Sequence, residues 1–327
     1  ENKTEMRPGY MDIFTPKGDT LTKRPVIIFV HSGGFLMGSN KNDDMIAFCD
    51  SFARRGYVTA ALGYRIGMGA EITTLFGFPV SIRLSEKNAA RAAYRATQDS
   101  RAAIRFLKSK AGDYEIDTSR IFMVGSSAGG FVALHNLYMN QPHEIPELAL
   151  AEPSLGNLDT VGIQGYGSQA NAIVSMWGAL EKPELIEDEK TPVFLVHGED
   201  DDVVYFKKGM PLKTLVPVND AIDFLIPETY GGFCIDTVLI NRNVEHETYF
   251  VPGKKHEFYG VATGMFGEDG SNQYWDTIKN KISNFLLDQF HPSANFNITI
   301  DGLTVTLHNT SSDSFYTEWD VGNDSTT

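Results

Sequence analysis

A chain of 327 residues, 42% of them hydrophobic, exceeds one average domain but fits one large α/β domain with a small appendage. Its formal net charge of −14 speaks against nucleic acid, anionic membrane surfaces and polyanionic substrates, all of which call for a basic face. The longest apolar run, Val26-Ile27-Ile28-Phe29-Val30, is far too short for a membrane span, so a soluble protein is expected.

In chain order, Tyr10 to Phe14 alternates and stops at Thr15-Pro16, as an edge strand does. After a turn around Lys17-Gly18-Asp19, residues 25–30 suit a strand buried on both faces, leading into His31-Ser32-Gly33-Gly34-Phe35. Asp43 and Asp44 cap a helix whose Met45, Phe48, Cys49 and Phe52 keep i, i+3, i+4, i+7 spacing until Gly56. Residues 57–62 are the next strand. A long helix over 85–107 lines up Ala89, Ala93, Ala96, Ala103 and Leu107, small enough for close packing on a sheet. A buried strand at 121–124 and a helix from Phe131 follow, then strands at 172–177, 193–196 and 248–251 with helices between, and a last helix at 274–290. This alternation predicts a mostly parallel central sheet covered by helices on both faces. At His291-Pro292-Ser293 the pattern changes. Phe296, Ile298 and Ile300 alternate, Asp301-Gly302 turns, and Leu303, Val305 and Leu307 alternate back, a β-hairpin of different architecture. The chain therefore divides at 290 into a domain over 1–290 and a short β appendage over 291–327.

Between the strand at 121–124 and its helix stands Gly125-Ser126-Ser127-Ala128-Gly129, a G-x-S-x-G sequence. Such a reversal strains the serine backbone and leaves its hydroxyl standing at the sheet edge. The glycines are expected because a Cβ there would collide within the tight turn. The helix N-terminus adds free N–H groups where negative charge would develop. Ser127 is the candidate nucleophile.

A serine needs a base and a group that orients the base. In doubly wound sheets such residues collect at the C-terminal ends of strands. The strand at 193–196 is followed by His197-Gly198-Glu199-Asp200-Asp201-Asp202, and the strand at 248–251 by Pro252-Gly253-Lys254-Lys255-His256. Serine, aspartate and histidine then occur in nucleophile-elbow order. Gly33 and Gly34 offer unobstructed backbone N–H groups for an oxyanion, and Ala128 another. His135 and His197 read as structural. The chain has no H-E-x-x-H, Cys/His cluster or P-loop, so no cofactor or metal is expected.

With these residues in hand, the chain resembles the α/β-hydrolase serine esterases, specifically the carboxylesterase and hormone-sensitive-lipase-like group, over roughly residues 9 to 290. That group's H-G-G-G-F segment corresponds to His31 to Phe35, its G-x-S-A-G-G elbow to Gly125 to Gly130, its H-G-x-x-D-x-x-V loop to His197, Gly198, Asp201 and Val204, and its G-x-x-H to Gly253 and His256. The resemblance implies Ser127 as nucleophile, Asp201 as orienting acid, His256 as base, and Gly33, Gly34 and Ala128 as oxyanion donors. Asp201 is picked from its neighbours Asp200 and Asp202 by spacing alone. Two departures stand out: Ser32 replaces the first glycine, and Ser126 stands where many relatives carry Asp, removing a supporting carboxylate. Arg91, Ala92 and Asp99 resemble the R-A-x-x-D pattern of secreted bacterial members, whose common substrates are carbohydrate-linked acetyl or feruloyl esters. The tail, with Val305-Thr306-Leu307 and Trp319 to Asp324, resembles the opening of a polycystic-kidney-disease (PKD) type β-sandwich, an accessory module here less than half present.

The expected activity is therefore carboxylic ester hydrolysis through an acyl-enzyme, on a small-molecule or polysaccharide-linked ester. The rivals are a serine peptidase of the oligopeptidase kind, which normally carries a propeller, and a non-catalytic hydrolase-fold binding protein. Residues 67–79, 142–167 and 205–230 are the segments that could shape a pocket. The chain opens at Glu1 without a leader, as a secreted or periplasmic protein with its signal removed would. Cys49, on an apolar helix face, reads as a buried free thiol rather than a partner of Cys234. N-x-S/T triplets at Asn2, Asn297, Asn309 and Asn323 would matter only in a eukaryotic secretory setting.

Overall fold

The computed structural model describes residues 10–18, 21–69, 71–75, 78–215, 222–260, 271–290, 296–302 and 304–310. Phe76, Leu303 and Trp319 to Asp324, with the triplets at Asn2 and Asn323, lie outside the described residues. The chain forms two compact units, Glu1–Ile282 and Ser283–Thr327.

The first unit is built on a sheet of seven strands. In chain order these are β1 (Tyr10–Phe14), β2 (Arg24–Val30), β3 (Val58–Gly63), then, past β4 (Glu71–Leu75) and β5 (Phe78–Ser85) of another sheet, β6 (Ile116–Ser126), β7 (Ala172–Met176) and β8 (Val193–Gly198). Further on come β9 (Lys208–Gly209), β10 (Ile222–Leu225), β11 (Thr229–Tyr230) and β12 (His246–Val251), which completes the large sheet. The spatial order is β1-β3-β2-β6-β7-β8-β12. Only β1 runs antiparallel, on the edge beside β3, where a strand closed by proline belongs. The remaining pairs are parallel, so the C-terminal ends of β2, β6, β8 and β12 share one rim.

Both faces of this sheet are covered, and β2 shows how. Val26, Ile28 and Val30 join the core with α2 (Glu86–Ser109) and α4 (Ala128–Tyr138), while Phe29 stacks on Phe48 and tilts against Phe52 of α1 (Asp43–Ala53). The period of two along a strand sends alternate side chains to opposite layers, so a strand lying between two helical layers must be apolar throughout. Burying Phe48 and Phe52 contributes roughly 2–3 kcal/mol each. The alanine face of α2 packs on α4 as well as on β6. Short α3 (Ala111–Tyr114) and α5 (Glu147–Leu150), α6 (Gly232–Asn241) and α7 (Gln273–Asp288) complete the helices.

A feature with no counterpart in the sequence reading is a second sheet, β10-β5-β4, in which β5 pairs antiparallel with β4 and parallel with β10. Residues 71–79 and 222–225 fall in segments expected as pocket-shaping loops, and Ser85 at an expected helix start. Cys49 is a fully buried free thiol, and burial pushes it up to about 12. In the second unit, β13 (Phe296–Asp301) and β14 (Thr304–Asn309) form the antiparallel hairpin around Asp301-Gly302. No helix among the described residues is long and apolar enough to cross a membrane.

Candidate active site

Ser127 ends the reversal between β6 and α4 with φ +52° and ψ −117°, a conformation an L-residue adopts only under constraint. Its N–H donates to the Met176 carbonyl at 3.0 Å, pinning the turn to β7. The glycines on either side are enforced sterically. A Cβ on Gly125 would lie 1.9 Å from the Gly129 carbonyl oxygen, across the turn, and one on Gly129 would lie 2.0 Å from that of Val30, on the neighbouring strand.

From this elbow a hydrogen-bonded chain runs across the rim. Ser127 Oγ lies 2.8 Å from His256 Nε2, and His256 Nδ1 lies 2.7 Å from Asp201 Oδ2. His256 comes from the loop after β12 and Asp201 from the loop after β8, adjacent parallel strands. The structure thus brings together the three residues the sequence proposed, which are 5%, 6% and 0–4% exposed. Asp200 and Asp202 point elsewhere: Asp200 is exposed, and Asp202 pairs with Lys255 at 2.7 Å on the surface.

Asp201 is held from three sides. Its Oδ1 accepts the N–H groups of Val203 and Val204, both at 2.9 Å. His197 Nε2 lies 3.3 Å from Oδ2 while donating to the Val204 carbonyl at 2.9 Å, and His197 Nδ1 accepts the Gly232 N–H at 3.3 Å. That pair of partners fixes the tautomer of His197. Burial pushes the Asp201 carboxyl up, but the hydrogen bonds from His197 and His256 outweigh it and hold the group well below the usual carboxylate range. Burial likewise pulls His256 down, and the hydrogen bond and charge of Asp201, with Glu257 and Asp202, bring it above its ordinary value.

The loop after β2 sits beside the elbow. Gly33 and Gly34 take φ +117° and +61°, and the Gly33 carbonyl accepts the N–H groups of Leu36 and Met37 at 3.0 and 3.1 Å. Ser32 keeps an ordinary negative φ, so a side chain replaces glycine there without strain. Tyr64 donates to the His31 carbonyl at 3.0 Å and stacks on the His31 ring at 4.1 Å, which steadies the loop. Burial lowers His31 to about 4, so this imidazole is neutral packing material. Gly34 and Ala128 line the pocket next to Ser127. Ala128 opens α4, so its N–H has no intrahelical carbonyl partner.

The pocket in front of Ser127 holds about 440 Å³. All three expected segments reach it, through Met68, residues 143–148, and residues 211–212 with 226–229. The stretch beyond residue 148 instead packs on α2, where Asp159 pairs with Arg101 and Arg105. Phe35, Phe131, Leu212 and Ile226 give the walls their apolar character. The charges around it are Glu86, Glu144, Glu147, Glu181 and Glu228 against Lys182. His135, buried on α4, meets Glu181 Oε2 at 2.6 Å. Of the R-A-x-x-D residues, Asp99 grips Arg65 through Nε at 2.9 Å and the backbone N–H at 2.7 Å, and Arg91 pairs with Glu152 at 3.0 Å. Both brace α2 against its surroundings.

His143, Glu144 and Glu187 are close enough together to hold a metal ion. Their bonds are already used: Glu144 Oε2 accepts the N–H groups of Asn140 and Gln141 at 2.6 Å, and His143 meets Glu187 at 2.9 Å.

The sequence reading missed what stands behind Ser126. Its Oγ meets Glu257 Oε1 at 3.0 Å and accepts the Trp177 Nε1–H at 2.9 Å. The supporting carboxylate that Ser126 lacks is therefore supplied from the residue after His256.

Comparison with known proteins bears on the same region. The BD-FAE family matches residues 11–76 and 78–180, just over half of the chain, which include the Gly33-Gly34 loop and the elbow. Gut esterase 1 of Caenorhabditis briggsae is 29% identical over 120 residues, or 36% of this chain, and the match spans only 19% of that relative's length. Among solved structures, esterase 2 of Thermogutta terrifontis phosphonylated by cyclosarin superposes with a TM-score of 0.57 at 17% identity, covering 86% of this chain and 89% of that one. The propionate-bound form gives 0.56 at 19%, covering 88% and 91%. At such identity the likeness is one of fold, that of an α/β-hydrolase.

Proposed function

Because this chain belongs to the BD-FAE family and carries the α/β-hydrolase fold, we propose that it is a serine esterase working through an acyl-enzyme on short acyl or carbohydrate-linked (acetyl or feruloyl) esters. The observation that carries this reading is the continuous bonding from Ser127 through His256 to Asp201, with the serine on a strained elbow.

In this mechanism His256 Nε2 takes the Ser127 proton as Oγ attacks the ester carbonyl carbon. The carbonyl oxygen becomes an oxyanion, for which the N–H groups of Gly33, Gly34 and Ala128 are the donors. Asp201 accepts from Nδ1 throughout, keeping Nε2 free to receive the proton and stabilising the imidazolium. Collapse of the intermediate breaks the bond to the alkoxide, which leaves as alcohol with the proton from His256. Water then repeats the sequence on the acyl-Ser127 ester and releases the acid. The five glutamates against one lysine around the pocket favour an uncharged ester over an anionic one. Its volume suits an acetyl, propionyl or aryl-acryloyl group.

We also propose that residues 291–327 are an accessory appendage, since every residue named in this mechanism lies between Gly33 and His256. The test is an acyl-length series of p-nitrophenyl esters beside acetylated xylan and methyl ferulate, with fluorophosphonate labelling of the serine. A protein that hydrolyses none of them and takes no label overturns the reading.

A further inference from the structure

Two carboxylates stand behind Ser127 and His256 and belong to neither: Glu257, 1% exposed, and Asp44, fully buried. They are joined through hydroxyls. Ser126 Oγ takes the Trp177 indole N–H and donates to Glu257 Oε1 at 3.0 Å. Tyr259 Oη lies 3.4 Å from Ser126 Oγ and donates to Asp44 Oδ2 at 2.7 Å, while Asp44 Oδ1 accepts the Met45 N–H at 2.8 Å. The residue before the nucleophile and the residue after the base are thus tied to each other directly, although 131 positions apart in the chain.

This arrangement is expensive. Glu257 sits at φ +47°, which costs an L-residue about 1–2 kcal/mol, and burying a carboxylate costs more than burying an apolar side chain of its size. Simple packing would favour glycine for the backbone or an apolar residue for the volume. A carboxylate supplies an acceptor for Ser126, which an amide would also give, together with a negative charge acting on His256, which an amide would not.

We propose that Glu257 is a positioning residue for His256. Its bond to Ser126 sets the separation of nucleophile and base, and its charge stands beside the imidazolium that forms when Ser127 gives up its proton. The inference rests on the esterase reading above. The charged and titratable groups around His256 are Asp201 from the loop after β8, with His197 at the end of β8 against that carboxylate, Asp202 with its partner Lys255, and Glu257. Asp44 and Tyr259 lie one bond further back. Removing Glu257 takes away one of the charges that raise the proton affinity of His256, so the acid limb of the pH profile moves to lower pH.

The experiment compares kcat, KM and the pH dependence of kcat/KM on p-nitrophenyl acetate for the wild type, Glu257→Gln, and Glu257→Gly combined with Ser126→Asp. The double variant relieves the left-handed backbone and returns a carboxylate from the strand side, within reach of the Trp177 indole N–H. Glu257→Gln is expected to lose on the order of 10- to 100-fold in kcat with KM nearly unchanged, its acid limb displaced downward. The double variant regains most of the loss. Should Glu257→Gln fail to fold, Ser126→Ala, which cuts the tether and leaves the charge, is expected to lower kcat with the acid limb in place. An active wild type whose folded Glu257→Gln variant keeps its acid limb, or changes only in KM, overturns the inference alone. A wild type inert toward both ester and fluorophosphonate overturns the esterase reading and this with it.

Discussion

Replacing Asp201 with Asn tests the orientation of His256 with almost no change of shape. The outcome follows from which side of the new amide faces the ring. Asp201 Oδ1 accepts two backbone N–H groups, from Val203 and Val204, while Oδ2 accepts from His256 and has His197 Nε2 at 3.3 Å. An amide turned with its NH₂ toward the backbone would leave two buried donors unpaired, at about 1–3 kcal/mol each. The asparagine therefore keeps its oxygen on the backbone side and presents NH₂ to His256 Nδ1. A donor there selects the tautomer with the proton on Nε2, which can no longer accept from Ser127. Turnover should fall by about 10⁴-fold, equivalent to about 5 kcal/mol of transition-state stabilisation. Folding should persist, because the two backbone bonds remain. The assay is kcat/KM on p-nitrophenyl acetate with circular dichroism as control. Asp200→Asn and Asp202→Asn run alongside and are expected to stay within a few-fold, since the Asp202 carboxylate pairs with Lys255 at the surface rather than with His256. Loss at Asp202 equal to that at Asp201, or more than a tenth of activity retained by Asp201→Asn, would refute the argument.

Ser127→Ala should remove ester turnover apart from a residue owed to the oxyanion donors, and should abolish fluorophosphonate labelling in a protein that melts like the wild type. Asp44 should leave a mark on stability against pH. Burial raises its carboxyl to about 7 in the folded protein from an ordinary value near 3.8. Across that window the unfolded chain has lost the proton and the folded one keeps it, so this group's contribution falls as pH rises from about 4 to about 7 and then levels off. Asp44→Asn lacks that decline, and its Tm relative to the wild type should be more favourable at pH 8 than at pH 4. Deleting residues 291–327 should leave kcat/KM on a soluble ester within about twofold, as measured on the purified shortened protein. A lone hairpin is marginal in water by itself.

What could be read from the sequence was whatever short-range chemistry dictates. The continuous apolar run of β2, the helical spacing of α1 and the glycines beside Ser127 each follow from local sterics or periodicity. The place of Asp201 follows from the apolar run of β8, and that of His256 from the apolar end of β12, Tyr249 to Val251. The second sheet was invisible because β10 pairs with β5 across about 140 residues, a separation no local pattern reports. The bond between Ser126 and Glu257 was hidden for the same reason. Each residue considered alone is unremarkable, and only the juxtaposition of β6 and the loop after β12 gives the pair a meaning. His197 reads as structural from its place at the start of the acidic loop, but its grip on Asp201 depends on the Gly232 N–H at the start of α6. Distances between loops are set by the sheet order, which no local pattern encodes.

Trp177 gives the site an optical readout. Its indole is fully buried, donates to Ser126 and lies 6.2 Å from the His256 ring, centroid to centroid. A protonated imidazole at that range accepts an electron from excited indole, whereas a neutral one does so poorly. The chain has only two other tryptophans, Trp275 and Trp319. Emission from Trp177 should therefore dim as His256 takes up a proton and recover as it loses it, so that a fluorescence titration follows the base directly, without substrate. The difference between the wild type and a Trp177→Phe variant isolates that signal.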